Sequence, residues 1–260
     1  MILKVISYLS FQLKATNKRH IPSTFVQTII ANCFDSTKGI QLSKQHSNFR
    51  KSLSAKKDSI EVTDFGAGSK VFKSALRPIH KIARYAGLSR NRTATLINLV
   101  NHLKPKTILE FGTSLGLATY AMYLGSPKSK IITLEGCPNT LGVAKNEFKK
   151  FSLNTVETML GAFDTSLDKI HSKAPFDFVY FDGNHQKEAT LTYFQFCIEH
   201  RSPNAVFVFD DIHWSREMES AWTHIKEHPT VAATIDTYQW GIVMFTEEKE
   251  IKKEHFIVRV

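Results

Sequence analysis

From residue 93 onward the chain alternates short, β-branched or aromatic apolar runs with longer amphipathic stretches. The apolar runs cover residues 107–111 (TILEF), 130–134 (KIITL), 155–159, 176–181 (FDFVYF) and 205–209 (AVFVF). Continuous runs of that length suit strands covered on both faces. Between them, residues 93–103, 117–124, 140–151, 163–172 and 187–199 read as helices. Such alternation specifies a parallel sheet with helices wound on both sides. A further helix over 215–227 precedes apolar runs at 231–236 and 241–245, whose close spacing suits an antiparallel pair at one sheet edge. Residues 256–260 offer another edge strand. The predicted fold is therefore α/β: a doubly wound, mostly parallel seven-stranded sheet with an antiparallel edge pair.

The first third follows another pattern. Helices are expected over 2–14 and 23–33, divided by a break at residues 20–23, with Pro22 in a first-turn position and Ser23 or Thr24 as cap. Residues 38–57 are rich in Ser, Lys and Gln and read as an exposed segment. The chain accordingly divides into a mainly helical N-terminal cap, residues 1–92, and an α/β domain, residues 93–260.

Charge sharpens that division. The net charge is +10, yet residues 1–92 carry +13 and residues 93–260 carry −3. A basic face suits an anionic substrate, a lipid headgroup or a nucleic acid, or is simply a solvated surface. No RNA-binding signature or Arg–aromatic interleaving accompanies it, so nucleic acid is not indicated. Residues 1–14 are apolar but broken by Lys4 and Lys14, and too short to span a bilayer. They read as an amphipathic helix packed on the domain, with peripheral membrane contact as the lesser alternative. Cys33, Cys137 and Cys197 lack metal-ligand spacing and fit reduced thiols in a cytoplasmic protein.

The first strand of the α/β domain carries the most informative chemistry. It leads through Glu110 into a glycine turn, Gly112, Thr113 and on to Gly116, and then directly into a helix. Glycine lets backbone approach a ligand closely, and the helix N-terminus offers free N–H groups. A dinucleotide-binding turn has the spacing G-x-G-x-x-G. Here it is G-x-x-x-G behind a carboxylate, which would repel a pyrophosphate and hold a cationic amino-acid group, as in S-adenosylmethionine. That argues against a nicotinamide-dependent oxidoreductase. The second strand ends in Glu135, placed to accept hydrogen bonds from both ribose hydroxyls of an adenosine. A second glycine cluster at 61–69, EVTDFGAGS, lacks a following strand with an acidic tip. It reads as a loop between helices or as a lid hinged on its glycines.

The fourth strand ends at Asp182 and runs on to His185; the fifth ends at Asp210 and Asp211, followed by His213. Ligands of open α/β sheets bind beyond the carboxyl ends of the strands, so three carboxylates converge there. Their repulsion would raise at least one pKa. A divalent cation with oxygen ligands, Mg²⁺ foremost, would relieve it. Each group also has a structural reading: Asp182 as a helix cap, Asp210 and Asp211 as turn carboxylates, His185 as a loop-orienting donor.

In these motifs, over roughly residues 93–246, the chain resembles the class I S-adenosylmethionine-dependent methyltransferases, which have a Rossmann-like fold. Among them it is similar to the metal-dependent O-methyltransferases of the catechol, caffeoyl-CoA and macrolide-sugar types, and to an uncharacterised bacterial methyltransferase group. The resemblance implies a metal held by Asp182, Asp210 and Asp211. It also implies that His185, three residues after the first metal Asp, is the general base, with His213 as the alternative. The catechol and caffeoyl-CoA types use a Lys nearby; Lys187 is close but offset. Gly161, Ala162, Phe163 and Asp164 fall where related enzymes hold adenine, with Glu110, Gly112, Thr113 and Gly116 around the methionine part, Glu135 on the ribose and Asp182 beside the cofactor. The implied reaction is in-line methyl transfer to the hydroxyl of a small-molecule or glycan acceptor, with homodimerisation expected by analogy. Two rivals stand beside it. An N-methyltransferase acting on RNA or protein is mildly favoured by the charge, but no Asn/Asp-Pro-Pro-aromatic motif follows the fourth strand. A non-catalytic cofactor-binding scaffold is disfavoured because every expected acidic position is filled.

Overall fold

The computed structural model describes residues 2–17, 23–34, 37–66, 68, 71–245 and 253–259. The N-terminal elements are α1 (Ile2–Lys14), β1 (Thr16–Asn17), α2 (Thr24–Cys33), α3 (Thr37–Ser54), β2 (Ser59–Glu61), β3 (Leu76–Pro78) and α4 (Ile79–Tyr85). The alternating part follows as α5 (Arg90–Leu103), β4 (Thr107–Phe111), α6 (Leu117–Gly125), β5 (Lys130–Glu135), α7 (Pro138–Lys150), β6 (Val156–Leu160), α8 (Phe163–Ile170), β7 (Phe176–Phe181) and α9 (Lys187–Glu199). It closes with β8 (Arg201–Asp210), α10 (Arg216–Glu227), β9 (Val231–Asp236), β10 (Trp240–Phe245) and β11 (Glu254–Arg259).

One sheet carries the fold, in the order β1-β11-β9-β10-β8-β7-β4-β5-β6. The order reverses at β4, which lies between β7 and β5. There the crossovers leave to opposite faces and open a crevice beyond the strand ends. The sheet has nine strands rather than the seven predicted. β11 pairs parallel with β9, and the two-residue β1 pairs parallel with β11. The expected antiparallel pairing of β9 with β10 is present, but not at the sheet edge. β10 alone runs antiparallel, held between β8 and β9, so the reversal lies inside the sheet.

Alternation along the strands divides the core. Ile108, Ile131, Phe178, Tyr180, Val206 and Val208 face one side, with α2 through α7. Leu109, Phe111, Ile132, Leu134, Val179, Phe181, Phe207 and Phe209 face the other, with α8, α9 and α10. The hydrophobic cluster of the first face runs unbroken from the N-terminal helices into α5 and α6.

Residues 38–57, predicted as an exposed polar segment, instead contribute most of the eighteen-residue helix α3. Leu42, His46, Phe49 and Leu53 form a single narrow stripe at helical spacing. Phe49 stacks on Tyr120 with ring centroids 4.6 Å apart. His46 Nε2 donates to Leu117 O (2.8 Å), and burial lowers its pKa to about 4, which keeps it neutral. Burying a phenylalanine completely contributes about 1.5–3 kcal/mol, enough to hold a helix of low intrinsic hydrophobicity in place. Ser23 caps α2 as expected, accepting from Val26 N at 3.5 Å. Pro22 lies outside the described residues, as does Val260 at the end of the predicted last strand. No helix among the described residues is long and apolar enough to cross a membrane.

Candidate active site

A cleft of about 440 Å³ opens beyond the carboxyl ends of β4, β5, β7 and β8. Backbone hydrogen bonds bind the strand tips together. Gly112 N and Thr113 N both donate to Leu134 O (3.0 Å), Asp182 N to Phe111 O (2.9 Å), and Gly161 N to Glu135 O (3.0 Å). Gly112 and Gly116 have φ of +100° and +82°, conformations that side chains disfavour. Their freedom lets the chain turn from β4 into α6 directly beside Asp182.

Glu135 lies on the cleft wall, where its two carboxylate oxygens accept from Ser114 N (2.8 Å) and Cys137 N (2.9 Å). Burial raises its pKa and these N–H groups oppose the rise. Each oxygen keeps a lone pair for a further donor. Ala162, Phe163 and Asp164 line the same wall at the start of α8. Phe163 packs edge-on against Phe111 and Tyr193. Gly161 lies just behind them.

Two predicted cofactor contacts are placed elsewhere. Glu110 is fully buried beneath the glycine turn, its Oε2 accepting from Thr119 (2.5 Å) and Thr133 (2.6 Å) and its Oε1 without a partner. Burial raises its pKa to about 8, against the pull of both hydroxyls. It ties β4, β5 and α6 together instead of facing the ligand. Thr113 is likewise turned inward, with its Oγ1 2.5 Å from that of Thr133. Gly116 abuts the Phe148 ring, which leaves no room for a side chain.

The other half of the cleft is acidic. Asp182 is followed by Asn184 and His185, both at positive φ. This bend returns the His185 ring toward Asp182, with Nε2 3.6 Å from Oδ1. Burial lowers the His185 pKa, but Asp182, Asp211 and Asp210 outweigh it, and the net shift is upward. Asn184 Nδ2 donates to Tyr193 OH (3.2 Å). Asp211, also at positive φ, and Trp214 line this half as well.

His213, the alternative base, does not belong to the cleft lining. Its Nδ1 meets Glu219 and its Nε2 meets Asp236, each at 3.0 Å, and its ring stacks on Tyr238. With both nitrogens committed to carboxylates, it joins α10 to β9 and has no free site for a substrate proton. Lys187 opens α9 and is not a lining residue either.

Asp210 is committed too. Its Oδ2 accepts from the Arg92 guanidinium and from Tyr180 OH (3.1 Å), and its Oδ1 from Asp211 N (2.7 Å). Burial acts against the Arg92 charge, but Asp210, Tyr180 and Asp182 outweigh it and hold the guanidinium charged. The predicted metal set of Asp182, Asp210 and Asp211 therefore does not fit a divalent ion, because a protein cation already occupies the carboxylate meant to hold it. No group of three or more His, Cys, Asp and Glu among the described residues is arranged for a metal.

Sequence reasoning passed over Arg92. Ser89 caps α5, accepting from Arg92 N at 3.3 Å, which puts Arg92 in the first turn. A helix leading into β4 begins at the carboxyl edge of the sheet, so its first turn faces the site. The described residues of the second glycine cluster, 61–66 and 68, lie at the end of β2 and in its connection to β3, not between helices. A β-carbon on Gly136 would meet the Phe65 ring at 2.5 Å, and one on Gly66 would meet Asn184 O at 2.6 Å. Phe65 and Gly66 thus approach the two halves of the cleft.

Residues 109–212 match the family model of a methyltransferase domain. The O-methyltransferase hkm8 of Aspergillus hancockii is 29% identical over 137 residues, which are 50% of this chain and 53% of that protein. The chain thus spans about half the length of this curated relative. The O-methyltransferase TomG from Streptomyces achromogenes, crystallised with S-adenosylmethionine, superposes with a TM-score of 0.55 at 18% identity, covering 62% of this chain and 82% of that one. An O-methyltransferase from Bacillus cereus bound to S-adenosylhomocysteine gives 0.54 at 18% identity, covering 86% and 98%. At such identities the likeness shows the fold.

Sheet order and the glycine turn after β4 give a Rossmann-like, doubly wound fold. Over residues 109–212 the chain is similar to methyltransferase domains.

Proposed function

We propose that this protein transfers the methyl group of S-adenosylmethionine to a hydroxyl oxygen of a small-molecule or glycan acceptor. One observation carries the reading: a single cleft holds Glu135 at one end and the Asp182–His185 pair at the other. Glu135 accepts the ribose hydroxyls, the turn from Gly112 to Ser114 follows the methionine part, and Ala162, Phe163 and Asp164 enclose the adenine. The sulfonium then points toward Asp182.

The acceptor hydroxyl lies against His185. Its oxygen forms a bond to the methyl carbon as the carbon–sulfur bond breaks, and the electron pair of that bond stays on sulfur as a neutral thioether. The hydroxyl proton passes to His185, and Asp182 stabilises the imidazolium. Orientation does much of the work, since alignment of two held reactants removes a large part of the barrier. Phe72, Tyr85 and Trp214 wall the acceptor side and suit a flat or partly apolar molecule. The divalent cation that the resemblance implies has no place in this reading, because Arg92 holds Asp210. A cytoplasmic setting suits it, with Cys33, Cys137 and Cys197 buried and unpaired.

The test is transfer of isotopic methyl from S-adenosylmethionine to a panel of phenols, catechols and hydroxylated sugars. Label on oxygen in wild type, with none above background in Asp182→Asn, is the expected result. Label appearing on amines alone would replace this reading with N-methylation.

A further inference from the structure

The acidic end of the cleft contains a cation of its own, and its placement is specific. The Arg92 guanidinium reaches from the first turn of α5 to Asp210, and its plane lies over the Trp240 ring at 5.0 Å. Tyr180 OH approaches the same carboxylate oxygen, so that oxygen has both a charged and a neutral donor. Asp210 Oδ1 accepts from Asp211 N, so both oxygens of the carboxylate carry a protein donor. Arg92 also lines the cleft beside Asp182, His185 and Asp211. A guanidinium is charged at any working pH and holds a carboxylate through directed N–H groups.

We infer that Arg92 is a built-in substitute for a divalent cation: it pairs with Asp210, offsets part of the charge of the Asp182–Asp210–Asp211 cluster and sets its positive charge beside the acceptor oxygen. The inference rests on the methyl-transfer reading for the identity of that oxygen, but not for the ion pair. A metal at this position would have to displace the guanidinium from Asp210 and share the site with a buried like charge. Arg92 positions and stabilises; the proton still goes to His185. As the acceptor hydroxyl gives up its proton to His185, negative charge grows on its oxygen, and a fixed cation close by lowers the energy of that charge without any reorganisation.

The test is titration of wild type with Mn²⁺, followed by the electron paramagnetic resonance of the free ion. S-adenosylmethionine binding is measured by calorimetry on the same preparation. Wild type is expected to take up no stoichiometric Mn²⁺, and chelator is expected to change methyl transfer by less than about twofold. Arg92→Met should uncover Asp210 and bind about one Mn²⁺ per chain, with the uptake lost again when Asp182→Asn is added. Uptake of about one Mn²⁺ by wild type, lost in Asp210→Asn, would overturn the inference. A folded Arg92→Met that binds no Mn²⁺ would overturn it as well. The wild-type arm decides alone if the variant does not fold. Failure to bind S-adenosylmethionine would instead sink the methyl-transfer reading, which the Mn²⁺ titration does not touch.

Discussion

A β-carbon placed on Gly112 would lie 2.1 Å from the carbonyl oxygen of Asp182. The glycine turn after β4 and the acidic tip of β7 are therefore in direct backbone contact. Gly112→Ala is expected to combine a disfavoured φ with this collision and to cost at least about 2 kcal/mol. In thermal unfolding that corresponds to a fall of roughly 4–8 °C. S-adenosylmethionine affinity should drop at least about tenfold, which is about 1.4 kcal/mol. An unchanged melting temperature and affinity would show that the two tips are not coupled.

Removing the proposed base should separate chemistry from binding. His185→Gln is expected to lower kcat by about 10²–10⁴ while changing S-adenosylmethionine affinity by less than about threefold. Because the surrounding aspartates shift the His185 pKa upward, the neutral form that accepts a proton predominates only above that raised value. The wild-type rate should therefore rise with pH through a value above the ordinary histidine range, and the rise should vanish in the variant. A pH profile identical in both proteins would remove His185 from the proton path.

Glu110 has a different signature. Its folded pKa, about 8, exceeds its unfolded value of 4.5, so the folded state holds the proton more tightly. Stability from this group is full below the unfolded value and declines as pH rises toward the folded one. Glu110→Gln, which keeps the shape and removes the charge, should leave stability at pH 5 within about 1 kcal/mol of wild type. Denaturant titrations should show the variant gaining on wild type between pH 5 and about 9. A variant less stable at the higher pH would indicate that the carboxylate is favourable in place.

His213 is expected to act in stability and not in proton transfer. Burial lowers its pKa, but Asp236 and Glu219 overcome this and raise it. Its stabilising effect is full below the unfolded pKa and is lost as pH rises through the folded one. His213→Gln should destabilise the protein by about 2 kcal/mol at pH 6 and by less at higher pH. Methyl transfer at a permissive temperature should survive. A loss of activity as large as that of His185→Gln would return His213 to the mechanism.

How far the sequence reaches can be judged from particular elements. The strands at 107–111, 176–181 and 231–236 and the helix at 187–199 coincide with the structure, because covered parallel strands and long amphipathic helices leave strong local patterns. Helix α3 was hidden by the Ser, Lys and Gln on its solvent side, since a stripe of four residues in eighteen hardly alters composition. β1 is two residues long, and its partner β11 comes from the far end of the chain, so no local pattern reports their pairing. Strand tips could be placed at the site from topology, which puts Glu135, Asp182 and Asp211 together. Side-chain direction could not: Glu110 turns beneath the turn it precedes, and His213 turns away to α10 and β9. Arg92 was legible in principle, through the Ser89 cap and the polarity of the helix entering β4.

Calorimetric titration of the wild-type protein with S-adenosylmethionine, beside Glu135→Ala, is the most direct test of the central claim. Saturable binding of about one cofactor per chain, weakened at least about tenfold when Glu135 is removed, is the predicted result. No saturable heat from the wild-type protein, or equal affinity in both, would contradict the assignment of this cleft to the methyl donor.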